Sequence, residues 1–183
     1  MLASLGLASC TDDGEPSDAA PSPSNGQDSE NPASSEPTTR DLPPARDACN
    51  VLDPADVGRV LGTPVESVVA GQGCRFASPD DPDTTSLGIS QGELAAIGGI
   101  DGAKAGIGAV VEGEVEDAPG VGDGAFVVVG PTFGGSTPTG GGAVSLGSSL
   151  IQITVLPGPG ATEDDVRRTT VDVLALIAEQ AGR

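Results

Sequence analysis

AVSLGSSLIQITVL, residues 143–156, followed after a Pro- and Gly-rich turn by TEDDVRRTTVDVLALIA, residues 162–178, sets the fold class of this chain. In the first segment, residues 143–146 and 150–156 read as two strands of a hairpin turning at Gly147 and Ser148. Ile151, Ile153 and Val155 recur with period two and face a core, as a half-buried strand requires. The second segment changes period. Thr162 caps a helix with Asp165 three residues on, and Val166, Thr170, Val173, Leu174, Ile177 and Ala178 follow at spacings of three and four. Asp164, Arg167, Arg168, Asp172 and Glu179 fall on the opposite, wet face. A strand pair followed by an amphipathic helix implies an α+β domain, in which an antiparallel sheet is covered by its C-terminal helix.

Working outward, residues 125–129 are β-branched and apolar and form another strand, and residues 130–142 read as a long Gly, Thr and Pro loop. Strands are also expected at residues 65–69, 74–77 and 85–90. In the last of these, Thr85, Leu87 and Ile89 share one face and Ser86, Gly88 and Ser90 the other. Residues 93–107 carry Leu94, Ile97 and Ile100 at helical spacing, weakened by Gly98, Gly99 and Gly102. Asp53 is an N-cap with Pro54 at the first helical position, opening a short helix that carries Val57, Val60 and Leu61 and stops at Gly62.

The N-terminal part has another character. Leu7-Ala8-Ser9-Cys10 reads as a lipobox, an apolar stretch ending in two small residues and a cysteine that can take a diacylglyceryl thioether. Residues 1–9 are too short to cross a bilayer and fit the remnant of a signal peptide. No Lys or Arg precedes Arg40, so a precursor beginning upstream with a basic segment is expected. Acyl chains contribute about 0.8 kcal/mol per buried methylene, and two or three of them make a durable anchor. From Thr11 to Ala45 the chain is Ser, Pro, Asp, Glu, Asn and Thr, with eight acidic residues against Arg40 alone. Such a segment buries too little surface to offset its ordering entropy, so residues 10–45 are expected to be a lipidated cysteine followed by a disordered acidic tether. A flexible tether of this length spans roughly 30 to 35 Å.

Residues 46–183 remain as one globular domain, with 19 acidic against 7 basic side chains. That charge repels nucleic acid and anionic headgroups, so no nucleic-acid partner is expected and the membrane is met only through the lipid. Of the three cysteines, lipidation takes Cys10 and leaves Cys49 and Cys74 to pair in an oxidising exterior. The competing reading, a metal or redox pair, lacks histidine anywhere in the chain and lacks CxxC spacing.

The run Cys49-Asn50-Val51-Leu52, Asp53-Pro54 opening a helix that ends Leu61-Gly62, Gly73-Cys74-Arg75-Phe76, and Pro119-Gly120-Val121-Gly122-Asp123-Gly124-Ala125-Phe126 before a C-terminal helix resembles a family of actinobacterial small surface lipoproteins of unknown function. The likeness covers nearly the whole globular part, and Phe76 stands where a Trp is more usual. The resemblance implies a lipid-anchored surface domain with its cysteine pair bonded and an α+β sandwich of the PsbP and Mog1 type. It transfers no catalytic residue.

Reaction chemistry is sparse. Without histidine there is no Ser-His-Asp or Cys-His machinery, and Lys104, the only lysine, lies in no SxxK motif. A carboxylate pair could run glycoside hydrolysis, but sugar sites add aromatic platforms, and the chain has three Phe and neither Trp nor Tyr. Asp80, Asp81 and Asp83 lack calcium-loop spacing and fit a Pro-rich turn. Gly120, Gly122 and Gly124 around Asp123 fit a tight turn better than a phosphate loop. No enzyme, metal or cofactor is expected. The reading is a monomeric, lipid-anchored, non-catalytic binding or accessory module on the extracellular face of the cell membrane, meeting a protein or cell-wall partner. The alternatives are a carrier of a small apolar ligand between sheet and helix, lidded by the loop at 130–142, and a carboxylate-pair hydrolase.

Overall fold

A computed structural model describes residues 44–182. Those residues form an α+β domain built on one seven-stranded antiparallel sheet. In chain order the elements are α1 (Ala48–Val51), α2 (Pro54–Leu61), β1 (Glu66–Ala70), β2 (Gly73–Ala77), β3 (Ser86–Glu93), α3 (Gly99–Gly108), β4 (Val115–Asp117), β5 (Gly124–Gly130), β6 (Thr139–Leu146), β7 (Ser149–Leu156) and α4 (Glu163–Ala181). The sheet order is β1-β2-β3-β7-β6-β5-β4.

The period-two pattern of β7 is realised in register with β3, where Leu87 opposes Val155 and Ile89 opposes Ile153. Those four side chains join Phe76, Val127 and Val144 in one core beneath Val173, Leu174 and Ile177 of α4. The capping box at Thr162 and Asp165 is present with both reciprocal bonds, so α4 begins where its sequence signals say. α1 and α2 pack on the same side, since Ala48, Leu52, Val57 and Leu61 belong to that core.

The other face is covered over part of its width only. Ala103 of α3, with Ile100 and Ile107 beside it, packs on Phe126, Val128, Ala143 and Leu150, which lie on β5, β6 and β7. Strand β6 is therefore covered on both sides, and all eight of its residues are buried. Gly140, Gly141 and Gly142 make this possible. A Cβ on Gly140 would strike the Thr170 side chain of α4, one on Gly141 would come 2.6 Å from Ile107 of α3, and one on Gly142 would come 2.7 Å from the Phe126 carbonyl.

Two local expectations are corrected by this packing. The loop expected over 130–142 is confined to residues 131–138, because Thr139 and the three glycines extend β6 between the two helices. The helix expected over 93–107 is split. Glu93 ends β3, and Gly98 and Gly99 both take positive φ, separating a single 3-10 turn at Ala95–Ile97 from α3. Two elements carry no clear sequence pattern, the four-residue α1 and the three-residue β4. Residues 44 and 45 also contact the sheet. Pro44 bridges to Gly147, and the Ala45 N–H donates to Ser149 Oγ at 3.1 Å.

The sheet's two edges differ. β4 is short, and its Glu116 and Asp117 are paired with Arg167 of α4 at 2.9 Å and Lys104 of α3 at 2.7 Å, which blunts that edge. β1 at the other edge is exposed along all five residues.

Candidate functional site

Because α3 reaches only across β5 to β7, the second face of the sheet is left bare over β1, β2, β3 and the near side of β7. Alternation along the strands places two full cross-strand rows there, beside Glu66, Ala77, Ser86 and Leu156 at the end of the same face. One runs Val68, Arg75, Gly88, Thr154, and the other runs Ala70, Gly73, Ser90, Gln152. A groove of about 380 Å³ lies over Gly88 and Ser90, walled by Arg75, Gln152, Thr154 and Ile107. A second groove of about 570 Å³ shares Arg75, Ser86 and Leu156 with it and continues toward Pro157 and Pro138. A third, about 370 Å³, shares Ile107, Gln152 and Thr154 and runs beneath α3. The shared residues make one depression along the bare half-sheet.

Arg75 dominates its electrostatics. The Nη2 group donates to Ser86 Oγ at 3.1 Å, and Ser86 is itself buried, so the guanidinium is held against the sheet. Four other basic side chains are committed to carboxylates: Arg59 to Asp56, Lys104 to Asp117, Arg167 to Glu116 and Asp164, and Arg168 to Asp165. The Asp117 hydrogen bond holds the Lys104 ammonium above the usual lysine range. Arg75 has no carboxylate partner among the described residues, and the rest of its N–H donors are free for a ligand. In the groove over Gly88 the lining around Arg75 is neutral and hydrogen-bonding, from Ser86, Ser90, Gln152 and Thr154, while the adjoining groove adds Asp83.

The residues singled out by sequence fall as follows. Cys10 and the segment through residue 43 lie outside the described residues. Cys49 and Cys74 are disulfide-bonded, with 5.8 Å between their Cα atoms, joining α1 to β2. The bond anchors the strand that presents Arg75 one residue later. Asp80, Asp81 and Asp83 lie in a turn, where Asp81 Oδ1 accepts the Asp83 N–H at 3.1 Å and its carbonyl accepts from the Thr84 hydroxyl at 2.8 Å. Among the described residues no group of three or more Cys, Asp or Glu is placed to hold a metal ion.

Gly120 and Gly122 adopt positive φ in a turn into β5, as their spacing suggests. Asp123, next in the chain, fastens the β6–β7 turn, its N–H donating to the Ser145 carbonyl at 2.9 Å and its carboxylate accepting from Gly147 N–H at 2.7 Å. Sequence reasoning misses the groove itself. Its signal is the polar face Ser86, Gly88, Ser90, but a sequence does not say which polar strand face stays uncovered.

No protein-family model matches the chain, and no curated protein matches it in sequence. What fold and site define is a half-covered antiparallel α+β sheet that presents one unpaired arginine over a shallow, neutral groove.

Proposed function

We propose that this chain is a surface lipoprotein of the actinobacterial kind its motifs resemble, acylated at Cys10 and held on the extracellular face of the cell membrane. Its domain is a monomeric, non-catalytic binding or accessory module. Residues 11–43 serve as an acidic spacer, and the membrane is met through the lipid alone. The observation that carries the binding role is the asymmetry of the sheet. Covering β5 to β7 on both faces leaves the second face of β1 to β3 open, with Arg75 unpaired and hydrogen-bonding side chains around it. The occupant of that face is a protein or cell-wall component, and the domain's charge disfavours nucleic acid.

Two measurements test this reading. Metabolic labelling with an alkyne fatty acid is expected to mark the native chain and to be lost in Cys10→Ser, and an unlabelled native chain would end the lipoprotein reading. A photo-crosslinking residue placed at Ser90 or Thr154 in intact cells is expected to capture a neighbour, while one placed at Asp172 on the wet face of α4 captures none. Equal capture at both positions would end the binding role of the half-sheet.

A further inference from the structure

Gly88 sits in the middle of β3 without a steric reason. A Cβ built on it meets nothing closer than the Thr154 carbonyl oxygen at 3.9 Å, and its φ is not in the left-handed region. Among the other strand glycines, Gly92 and Gly124 meet only side-chain atoms, Ile97 Cδ1 at 3.3 Å and Ser145 Oγ at 3.4 Å, while the rest are sterically required. Gly73 has the Ile89 carbonyl where its Cβ would be, Gly130 has the Glu112 carbonyl, and Gly140, Gly141 and Gly142 are pressed by α4, α3 and Phe126. A glycine inside a strand weakens it, and where no bulge or bend requires it, as in the unbroken register here, such a position gives room for a close approach by a ligand. Within the described residues nothing approaches Gly88. Its missing side chain lowers the groove floor between Arg75, its partner on β2, and Thr154, its partner on β7.

The groove chemistry says what would lie there. Arg75 offers a guanidinium fork, pinned at one corner by Ser86 and otherwise free, and a fork of parallel N–H donors matches the paired oxygens of a carboxylate or phosphate. None of the residues lining the groove over Gly88 is acidic, although the domain as a whole carries a large negative excess. Ser90, Gln152 and Thr154 can hydrogen-bond the neutral part of a ligand, and Ile107 ends the groove in an apolar wall.

We infer that the groove over Gly88 is a binding site for an oxyanion group, carboxylate or phosphate, seated on the free N–H donors of Arg75 with the body of its ligand lying across Gly88 against Thr154 and Gln152. This inference rests on the reading of the half-sheet as a binding surface and names the chemistry that surface accepts.

The test uses the full isotope-labelled chain at pH 7.5, titrated separately with inorganic phosphate and with acetate, sodium chloride holding ionic strength constant. Saturable shifts at the Arg75 side-chain N–H and at the Gly88 and Ser90 amides are expected in the millimolar range. The stronger anion identifies a phosphoryl or a carboxyl source. Arg75→Gln is expected to weaken the interaction tenfold or more. Gly88→Val, whose Cβ meets nothing closer than 3.9 Å, raises the floor and is expected to lose the anion-dependent shifts, with its folded state checked by thermal melting and by Gly88→Ala alongside.

Shifts that do not saturate with either anion, or that are unchanged in Arg75→Gln, would overturn the site. Unaltered binding in a folded Gly88→Val would overturn the role given to the groove floor. Cellular crosslinking at Ser90 and Thr154 is read independently. Capture there without anion binding would refute the ligand class and leave the binding surface standing, whereas loss of capture would refute the surface itself.

Discussion

Gly140 of β6 lies directly beneath Thr170 of α4, in the space a Cβ would need to share with the Thr170 hydroxyl. That hydroxyl donates back to the Val166 carbonyl at 2.7 Å, so it has little freedom to turn away, and Val166 Cγ1 would be only 3.0 Å from the added methyl. The absence of a side chain at Gly140 lets helix and strand approach closely here. Gly140→Ala is expected to destabilise the domain by about 1–3 kcal/mol, the usual cost of overpacking a close-packed core. In a Thr170→Ala background the same change is expected to cost less. A double-mutant cycle by urea unfolding measures the coupling, and strict additivity would show that the helix moves aside freely.

Gly73 and Gly88 occupy the two neighbouring inner strands on the same bare face, yet they answer to different constraints. The Ile89 carbonyl occupies the place of a Gly73 side chain, while Gly88 has open space. Gly73→Ala is therefore expected to lower the urea midpoint clearly, by a destabilisation of about 1–3 kcal/mol. Gly88→Ala is expected to be neutral or to stabilise by about 0.5 kcal/mol, because it restricts the unfolded chain without straining the folded one. Equal losses at the two positions would mean that the open floor is not open.

The Cys49–Cys74 bond closes a loop across a sequence separation of 25 residues, linking α1 to β2. Loop-closure entropy makes such a link worth roughly 3 kcal/mol. Double replacement, Cys49→Ala with Cys74→Ala, is expected to cost about that amount in denaturant unfolding of the full chain. Cys74 is almost fully buried, so any Cys74→Ala replacement, the double one included, adds a cavity to the lost bond, and reduction of the parent chain isolates the bond's own contribution.

Elements with strong internal periodicity are legible from their residues alone. α4 carries its own capping box and apolar stripe, and β7 alternates cleanly, so neither needs a neighbour to be recognised. β6 is legible only from Ala143 onward. Its first half is Gly140-Gly141-Gly142, which reads as loop because the reason for those glycines is the pressure of two helices distant in sequence. β4 reads as charged chain, since Glu116 and Asp117 become strand residues only by pairing with Val127 and Phe126 of β5. The groove is hidden for the same reason. Ser86, Gly88 and Ser90 announce a polar face, and only the limited reach of α3 makes it a bare one.

The N-terminus of α4 gives the pH dependence its sign. Asp165 accepts from the Thr162 hydroxyl at 2.7 Å and from the Thr162 N–H at 3.2 Å, and these bonds, with Arg168 nearby, hold its carboxyl below the ordinary aspartate range. A carboxyl whose pKa is lower in the folded than in the unfolded state stabilises the fold fully above its unfolded value, near 4, and loses that contribution as pH falls through the folded value. Asp56, lowered by hydrogen bonds from Arg59 and Gln180, acts in the same direction. Stability is therefore expected to fall steadily below about pH 4. Thr162→Ala removes the hydroxyl and is expected to cost about 1 kcal/mol at pH 7. The gap between variant and parent should narrow on acidification without closing, because Thr162 Oγ1 also accepts from the Asp165 N–H at 3.2 Å, a bond that does not titrate. Chemical unfolding of both chains from pH 7 to pH 3 measures this, and a gap that stays constant would show that the Thr162 hydroxyl does not lower the Asp165 pKa.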